Sequence, residues 1–156
     1  MIKVIFCDID GVLNLSRNKE YLISKNNNKE EWMFNNIYDP ESILNLRKII
    51  LETKARIVSS SNRNCDSQCH DAFISNMNLY EIDNYFYDAV CIDSKDKNIE
   101  INKFLDRNHT IIGKYIILDD FTPQFTDENL IKNLYYINPN LGITEQDVKN
   151  IVEILT

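Results

Sequence analysis

The sequence predicts an α/β protein with a three-layer, doubly wound parallel sheet of the Rossmann-like kind. Short apolar runs typical of buried strands alternate along the chain with longer amphipathic patterns typical of helices. Acidic or hydroxyl side chains follow directly after several of these runs, which is where open α/β sheets bind ligands. We therefore expect about five parallel strands, helices on both faces and a functional site at the carboxyl edge of the sheet.

Length and composition favour one globular domain that spans residues 1–156. Of its residues, 44% are hydrophobic and 26% are charged, which is ordinary for such a domain. A net charge of −7 excludes the broad basic surface of a general nucleic-acid binder and leaves room only for a local basic patch. No apolar run has the length of a membrane span, and the first strand leaves no room for a signal peptide. We expect a cytoplasmic protein with no membrane partner.

The first predicted strand lies at residues 4–6, and two carboxylates follow it. Asp8 and Asp10 are two residues apart, so in an extended segment both point to the same side. Their like charges would raise the pKa of one of them unless a cation lies between them. Gly11 supplies the turn that follows. Such a pair can provide a covalent nucleophile and a general acid and base.

The remaining elements are predicted in chain order. Residues 15–38 form a connection much longer than an ordinary βα loop, so we expect a small lid or flap there. Asp39 is the predicted N-cap of a helix that runs to about Thr53. The later elements are a strand over 55–63, a helix over 65–77, a strand over 85–92, a helix over 97–107, a strand over 115–118, a helix near 124–132, a strand over 134–137 and a helix after Thr144.

The segment of residues 8–13, with the apolar strand before it, resembles the first motif of the haloacid dehalogenase-like (HAD) superfamily, most of whose members are phosphohydrolases. The resemblance implies that Asp8 attacks phosphorus and forms an aspartyl-phosphate. It also implies that Asp10 protonates the leaving oxygen and later activates water. Ser59 and Ser60 lie where the second motif places a hydroxyl that binds a phosphoryl oxygen, and Ser59, the first residue past the apolar run, is the first choice.

Two further motifs extend the resemblance. Lys97, at the start of a predicted helix, fits the third motif, a cation for the phosphate and the nucleophilic Asp, and Lys95 is the reserve. Asp119 and Asp120 directly follow an apolar strand and resemble the fourth motif. The resemblance implies that these two acids hold Mg²⁺ together with Asp8 and the backbone carbonyl of Asp10. Hard oxygen ligands suit this ion.

Within the superfamily the chain looks closest to the small HAD domain of Swiss Army knife RNA-repair proteins. The likeness lies in the segments 10–14, 55–61, 118–120 and 142–145. One departure is Asn62, where that group tends to have Trp before the arginine, so a base-stacking role for this turn is weakened. Gly11, Ser61 and Arg63 are the candidate substrate contacts.

These observations lead to the hypothesis of a Mg²⁺-dependent phosphomonoesterase without a large cap domain. An open site suits a bulky phosphorylated substrate such as a nucleic-acid end or a phosphoprotein. It also suits a small nucleotide if a second subunit of a homo-oligomer serves as the cap. One alternative is a catalytically silent binding or repair-accessory domain. Another is a receiver domain of phosphorelay signalling, which would need its acid pair after the first strand and a lone Asp after the third.

Overall fold

The computed structural model describes residues 1–26, 37–62 and 66–156. The strands are β1 (Ile2–Cys7), β2 (Arg56–Ser59), β3 (Phe86–Ala89), β4 (Ile112–Asp119) and β5 (Leu134–Tyr136). The helices are α1 (Ser16–Asn26), α2 (Pro40–Thr53), α3 (Ser67–Leu79), α4 (Lys97–Arg107), α5 (Glu128–Ile131) and α6 (Glu145–Leu155). Single 3₁₀ turns lie at Asp83–Tyr85 and Thr122–Gln124. The five strands form one all-parallel sheet in the order β3-β2-β1-β4-β5.

Hydrophobic side chains pack on both faces of this sheet. Ile5 and Ile57 belong to a cluster that α2, α3 and α6 complete, whereas Val4 and Val58 belong to a second cluster that α4 and α5 complete. Neighbouring residues of one strand alternate between the clusters because strand side chains point to opposite faces. Burial on both faces explains why the strands are nearly continuous apolar runs. The predicted three-layer α/β fold is confirmed.

Helix caps explain where two helices begin. The Asp39 carboxylate accepts the Ser42 N–H at 3.0 Å, and Pro40 occupies the first turn of α2. At α6 the Thr144 and Asp147 side chains cap each other's backbone N–H groups, which is a capping box. Both starts were visible in the sequence.

Helix α1 is an element that the sequence pattern did not predict. It occupies the first part of the 15–38 connection, is mostly polar and has no acidic residue in its first turn, so it lacked the usual helix signals. Residues 27–36 of the connection lie outside the described residues. The lid over 15–38 therefore stays a prediction. In the described ranges no large cap domain accompanies the sheet, and no helix there has both the length and the apolar character needed to cross a membrane.

The register of the sheet brings several strand ends to one edge. Cys7 of β1 pairs with Ser59 on one side and with Leu118 on the other. Hydrogen bonds continue one residue further, because the Asp8 N–H donates to the Leu118 carbonyl at 3.1 Å and the Ser60 N–H donates to the Cys7 carbonyl at 3.0 Å. The polar residues that follow the central strands are thus lateral neighbours at the carboxyl edge.

Candidate active site

Three carboxylates converge at this edge. One carboxylate oxygen from each of Asp8, Asp119 and Asp120 lies within 4.8 Å of the others. Asp8 follows β1 directly, Asp119 is the last residue of β4, and Asp120 comes next. The first two are buried and the third is half-buried. A compact group of carboxylate oxygens is the donor set that a hard divalent cation prefers.

The Lys97 side chain supplies the positive charge beside these carboxylates. Its Nζ lies 2.7 Å from Asp119 Oδ2 and 3.2 Å from Asp8 Oδ1, and its side chain is only 3% exposed. The position follows from the fold, because Lys97 is the first residue of α4, which packs on the face of the sheet that includes Val58. Lys95, the reserve choice, is exposed. The geometry therefore favours Lys97 for the role of the third motif.

The charges in the cluster are unbalanced. Burial raises the pKa of Asp8 to about 7, and the positive charge of Lys97 opposes this rise. Burial, and after it the charge of Asp119, raises the pKa of Asp120. Burial also acts to lower the pKa of Lys97, but attraction to the Asp8 and Asp119 carboxylates outweighs it and leaves that pKa raised. Three carboxylates around one ammonium hold an excess of negative charge that a divalent cation would balance.

A buried amide, Asn98, ties the start of α4 to the loop after β4. Its Oδ1 accepts the two consecutive N–H groups of residues 126–127 at 2.9 and 3.1 Å, and its Nδ2 donates to the Gln124 carbonyl at 2.9 Å. The Gln124 side chain donates to Asp119 Oδ1 at 2.9 Å. These contacts fix the position of Lys97 relative to Asp119. Neither amide could be recognised from the sequence, because an isolated Asn or Gln carries no distinctive pattern.

Asp10 and Gly11 form the turn beside the cluster. Gly11 has φ +82°, and a Cβ there would lie 2.3 Å from Asp120 Oδ2, so the turn can pack against this acid only with glycine. The Asp10 carboxylate is exposed, lies outside the converging carboxylate group and accepts a hydrogen bond from Asn14 Nδ2 at 3.3 Å. Its assignment to the metal, through the backbone carbonyl, stays a prediction.

Ser59, the last residue of β2, and the following Ser60 and Ser61 are all buried. Ser59 shares the face of Ile57 because strand side chains alternate. Continued for one residue beyond β2, the same alternation places Ser60 on the face of Val58, on which α4 also packs. Among the described residues, the Ser60 hydroxyl is the buried side-chain polar group without a hydrogen-bond partner. Such a group is costly unless a ligand pairs with it. The lack of a partner therefore favours Ser60 over Ser59 for the hydroxyl of the second motif, although Ser61 is the serine that lines the cavity at this edge.

A cavity of about 210 Å³ opens onto the cluster. Asp8, Asp10, Lys97, Asp120, Ser61 and Asn62 contribute to its lining. Ser61, a predicted substrate contact, is thus at the cavity wall, as are the two acids of the first motif. Arg63, another predicted contact, lies outside the described residues. This cavity brings together the Asp8 carboxylate, the Lys97 ammonium and a candidate metal site.

Three features together are typical of a HAD-like domain. They are the parallel sheet, the Asp-x-Asp pair after its central strand and the acid pair after the adjacent strand. A family model described as the HAD domain in Swiss Army Knife RNA repair proteins matches residues 4–148. The match spans most of the chain, and the chain belongs to this family. The resemblance drawn from the sequence is confirmed. No curated protein and no solved structure matches the chain significantly.

Proposed function

We propose that this HAD domain is a Mg²⁺-dependent phosphomonoester hydrolase that works through an aspartyl-phosphate on Asp8. The observation that carries the proposal is the position of Asp8, which lies within 3.2 Å of the buried Lys97 ammonium and within 4.8 Å of two further carboxylates. A structural role alone does not require such a costly group of charges at the edge of an apolar core.

The donor set fits Mg²⁺. Asp8 and Asp120 would supply the most available oxygens, because both oxygens of Asp119 already accept hydrogen bonds from Lys97, Gln124 and the Phe121 N–H. Asp119 would contribute a remaining lone pair. When bound, Mg²⁺ would polarise the phosphoryl group and offset its negative charge.

The chain's own residues would then carry the reaction. An Asp8 carboxylate oxygen would attack phosphorus while the bond from phosphorus to the leaving oxygen breaks, and Asp10 would donate its proton to that oxygen. Asp10, now a carboxylate, would take a proton from water as the water attacks phosphorus. This second step would break the bond to Asp8 and release inorganic phosphate. Lys97 and Ser60 would hold the non-bridging oxygens throughout.

The substrate that we propose is a nucleotide or a nucleic-acid end. The family is described by its occurrence in RNA repair proteins, which supports a nucleic-acid substrate. The site is open, since the described part of the chain has no large cap domain, and an open site admits a chain end. The net charge of −7 favours recognition of an end over binding along a long polyanion.

The test is hydrolysis of p-nitrophenyl phosphate, mononucleotides and 3′- and 5′-phosphorylated oligonucleotides, with Mg²⁺ or with EDTA. We expect Mg²⁺-dependent turnover that Asp8→Asn abolishes and that Asp10→Asn slows about 10²–10⁴-fold. Asp71→Asn, at an exposed position on α3, is the matched control. Asp8→Asn with the wild-type rate would overturn the nucleophile assignment. Binding of the oligonucleotides without turnover would instead favour the repair-accessory domain.

A further inference from the structure

A second cavity adjoins the first. Its volume is about 320 Å³, and Asp10 and Asp120 belong to the walls of both cavities. Asn14, Ser16 and Lys19 also line it. Lys19 is the single cationic side chain among the described residues of this lining. The second cavity is thus acidic where it borders the first and has a positive charge elsewhere in its wall.

The proposed role of Asp10 as general acid indicates which part of a substrate would lie in the second cavity. This step rests on the proposed function. A general acid must lie within hydrogen-bond distance of the oxygen that it protonates. With the phosphoryl group beside Asp8 in the first cavity, the leaving oxygen lies near Asp10 and the rest of the leaving group extends beyond it. The second cavity is at the small end of the usual range for ligand pockets, about 300–1,000 Å³. It therefore suits one sugar or one nucleoside.

Helix α1 forms one wall of this cavity, and hydrogen bonds to neighbouring residues hold it in place. The Arg17 guanidinium makes two parallel hydrogen bonds to the Asp39 carboxylate, at 3.0 and 2.9 Å. The Asn18 side chain donates to the Ile37 carbonyl at 2.9 Å. Ser16 and Lys19 are three residues apart and share one face of the helix. The helix that carries Lys19 is therefore fixed in position by these hydrogen bonds.

The loop after β5 also contributes to the wall of this cavity and is held in place by contacts with other elements. The Ser42 hydroxyl donates to the Val12 carbonyl and accepts the Ile143 N–H at 2.7 Å, which joins this loop to the loop after β1. Gly142 has φ +64°, and a Cβ there would lie 2.5 Å from Ser42 Oγ of α2 and 2.7 Å from Leu15 Cδ1, so the loop after β5 is in close contact with α2 and with the loop after β1. Pro139 of the same loop lines the cavity.

We propose that the second cavity is a leaving-group subsite in which Lys19 binds a second phosphate or phosphodiester group of the substrate. Asn14 and Ser16 line the same cavity, and their polar side chains would bind the sugar between the two phosphates. The preferred substrate is therefore a phosphomonoester whose leaving group carries a second phosphate. A nucleoside bisphosphate, a phosphorylated oligonucleotide end and a sugar bisphosphate share this chemistry.

The test compares substrates with and without the second phosphate. Wild type and Lys19→Gln are assayed on p-nitrophenyl phosphate, a mononucleotide, a nucleoside 3′,5′-bisphosphate, a 5′-phosphorylated dinucleotide and a sugar bisphosphate, all with Mg²⁺. We expect Lys19→Gln to lower kcat/KM about tenfold for substrates with a second phosphate, mainly through KM. The value for p-nitrophenyl phosphate should not change. Lys114→Gln is the matched control, because Lys114 is exposed near the amino end of β4, at the opposite edge of the sheet.

The outcomes separate the subsite from the proposed function. An equal change for every substrate, or no change for any, would overturn the subsite while hydrolysis itself stands. A preference confined to nucleotides or to sugars would identify the source of the second phosphate. If the wild type hydrolyses nothing, calorimetric binding of adenosine 3′,5′-bisphosphate tests the subsite directly. Equal affinity of wild type and Lys19→Gln would then overturn it, and about tenfold weaker binding by the variant would support it.

Discussion

Replacement of Lys97 by methionine removes the ammonium that lies between two buried acids and keeps a side chain of similar length. The Lys97, Asp8 and Asp119 side chains are 3%, 11% and 0% exposed, so both carboxylates would stay buried without their counter-ion. Removal of one partner from a buried ion pair costs about 3–5 kcal/mol. This is a large share of a total stability of about 5–15 kcal/mol. At about 2–4 °C per kcal/mol for a domain of this size, Tm should fall by roughly 6–20 °C.

Urea unfolding followed by circular dichroism, in EDTA, measures this loss. The control is Lys103→Met, because the Lys103 ion pair with Glu100 spans 3.2 Å but its lysine side chain is 59% exposed, and such pairs contribute about 0–1 kcal/mol. Addition of MgCl₂ should restore part of the stability of Lys97→Met, because a cation that binds only the native state stabilises it. A loss below about 1 kcal/mol, no larger than that of the control, would refute the view that Lys97 balances the buried carboxylates.

Three further predictions address the metal, the phosphate and the effect of pH. Gly11→Ala should weaken Mg²⁺ binding at least about tenfold by calorimetry, because the new Cβ would lie 2.3 Å from Asp120 Oδ2 at a φ of +82°; unchanged affinity would show that this contact does not matter. Ser60→Ala should change the free energy of unfolding by less than about 1 kcal/mol, because the buried hydroxyl has no partner among the described residues, yet it should raise KM for a phosphorylated substrate more than Ser59→Ala does. Equal KM values for the two serine variants would count against the choice of Ser60. Backbone hydrogen bonds at the start of α5 lower the pKa of Asp127, so its charge stabilises the fold above the ordinary carboxyl pKa and this contribution is lost as the pH falls through the lowered value. Urea unfolding from neutral pH to about pH 3 should therefore show a steeper loss for wild type than for Asp127→Asn, and parallel curves would rule this out.

Much of the fold could be predicted because the sheet is buried on both faces. Its strands are therefore continuous apolar runs that stand out from the amphipathic helices. Helix α4 has the predicted bounds, Lys97–Arg107, because Asp96 caps it and Ile101 and Phe104 recur on its buried face. The polar helix α1 could not be predicted, since its position depends on contacts such as the one between Arg17 and Asp39.

The acids of the candidate site could be predicted for a different reason. Parallel strands end at one edge, so residues that follow different strands must lie near each other. The choice between Ser59 and Ser60 required the strand register and the face of the sheet, which the sequence does not contain. The roles of Asn98 and Gln124 were also hidden, because they consist of hydrogen bonds between α4 and the loop after β4.

Detection of a phosphoryl group on Asp8 tests the proposed chemistry most directly. The Asp10→Asn variant, in which hydrolysis of the intermediate should be slow, is mixed with substrate and Mg²⁺, quenched in acid and analysed by peptide mass spectrometry. We expect one phosphoryl group on the peptide that contains Asp8, removable by hydroxylamine, present only with Mg²⁺ and absent from the double variant Asp8→Asn, Asp10→Asn. A phosphoryl group on a serine, or phosphate release by Asp8→Asn at the wild-type rate, would contradict the mechanism.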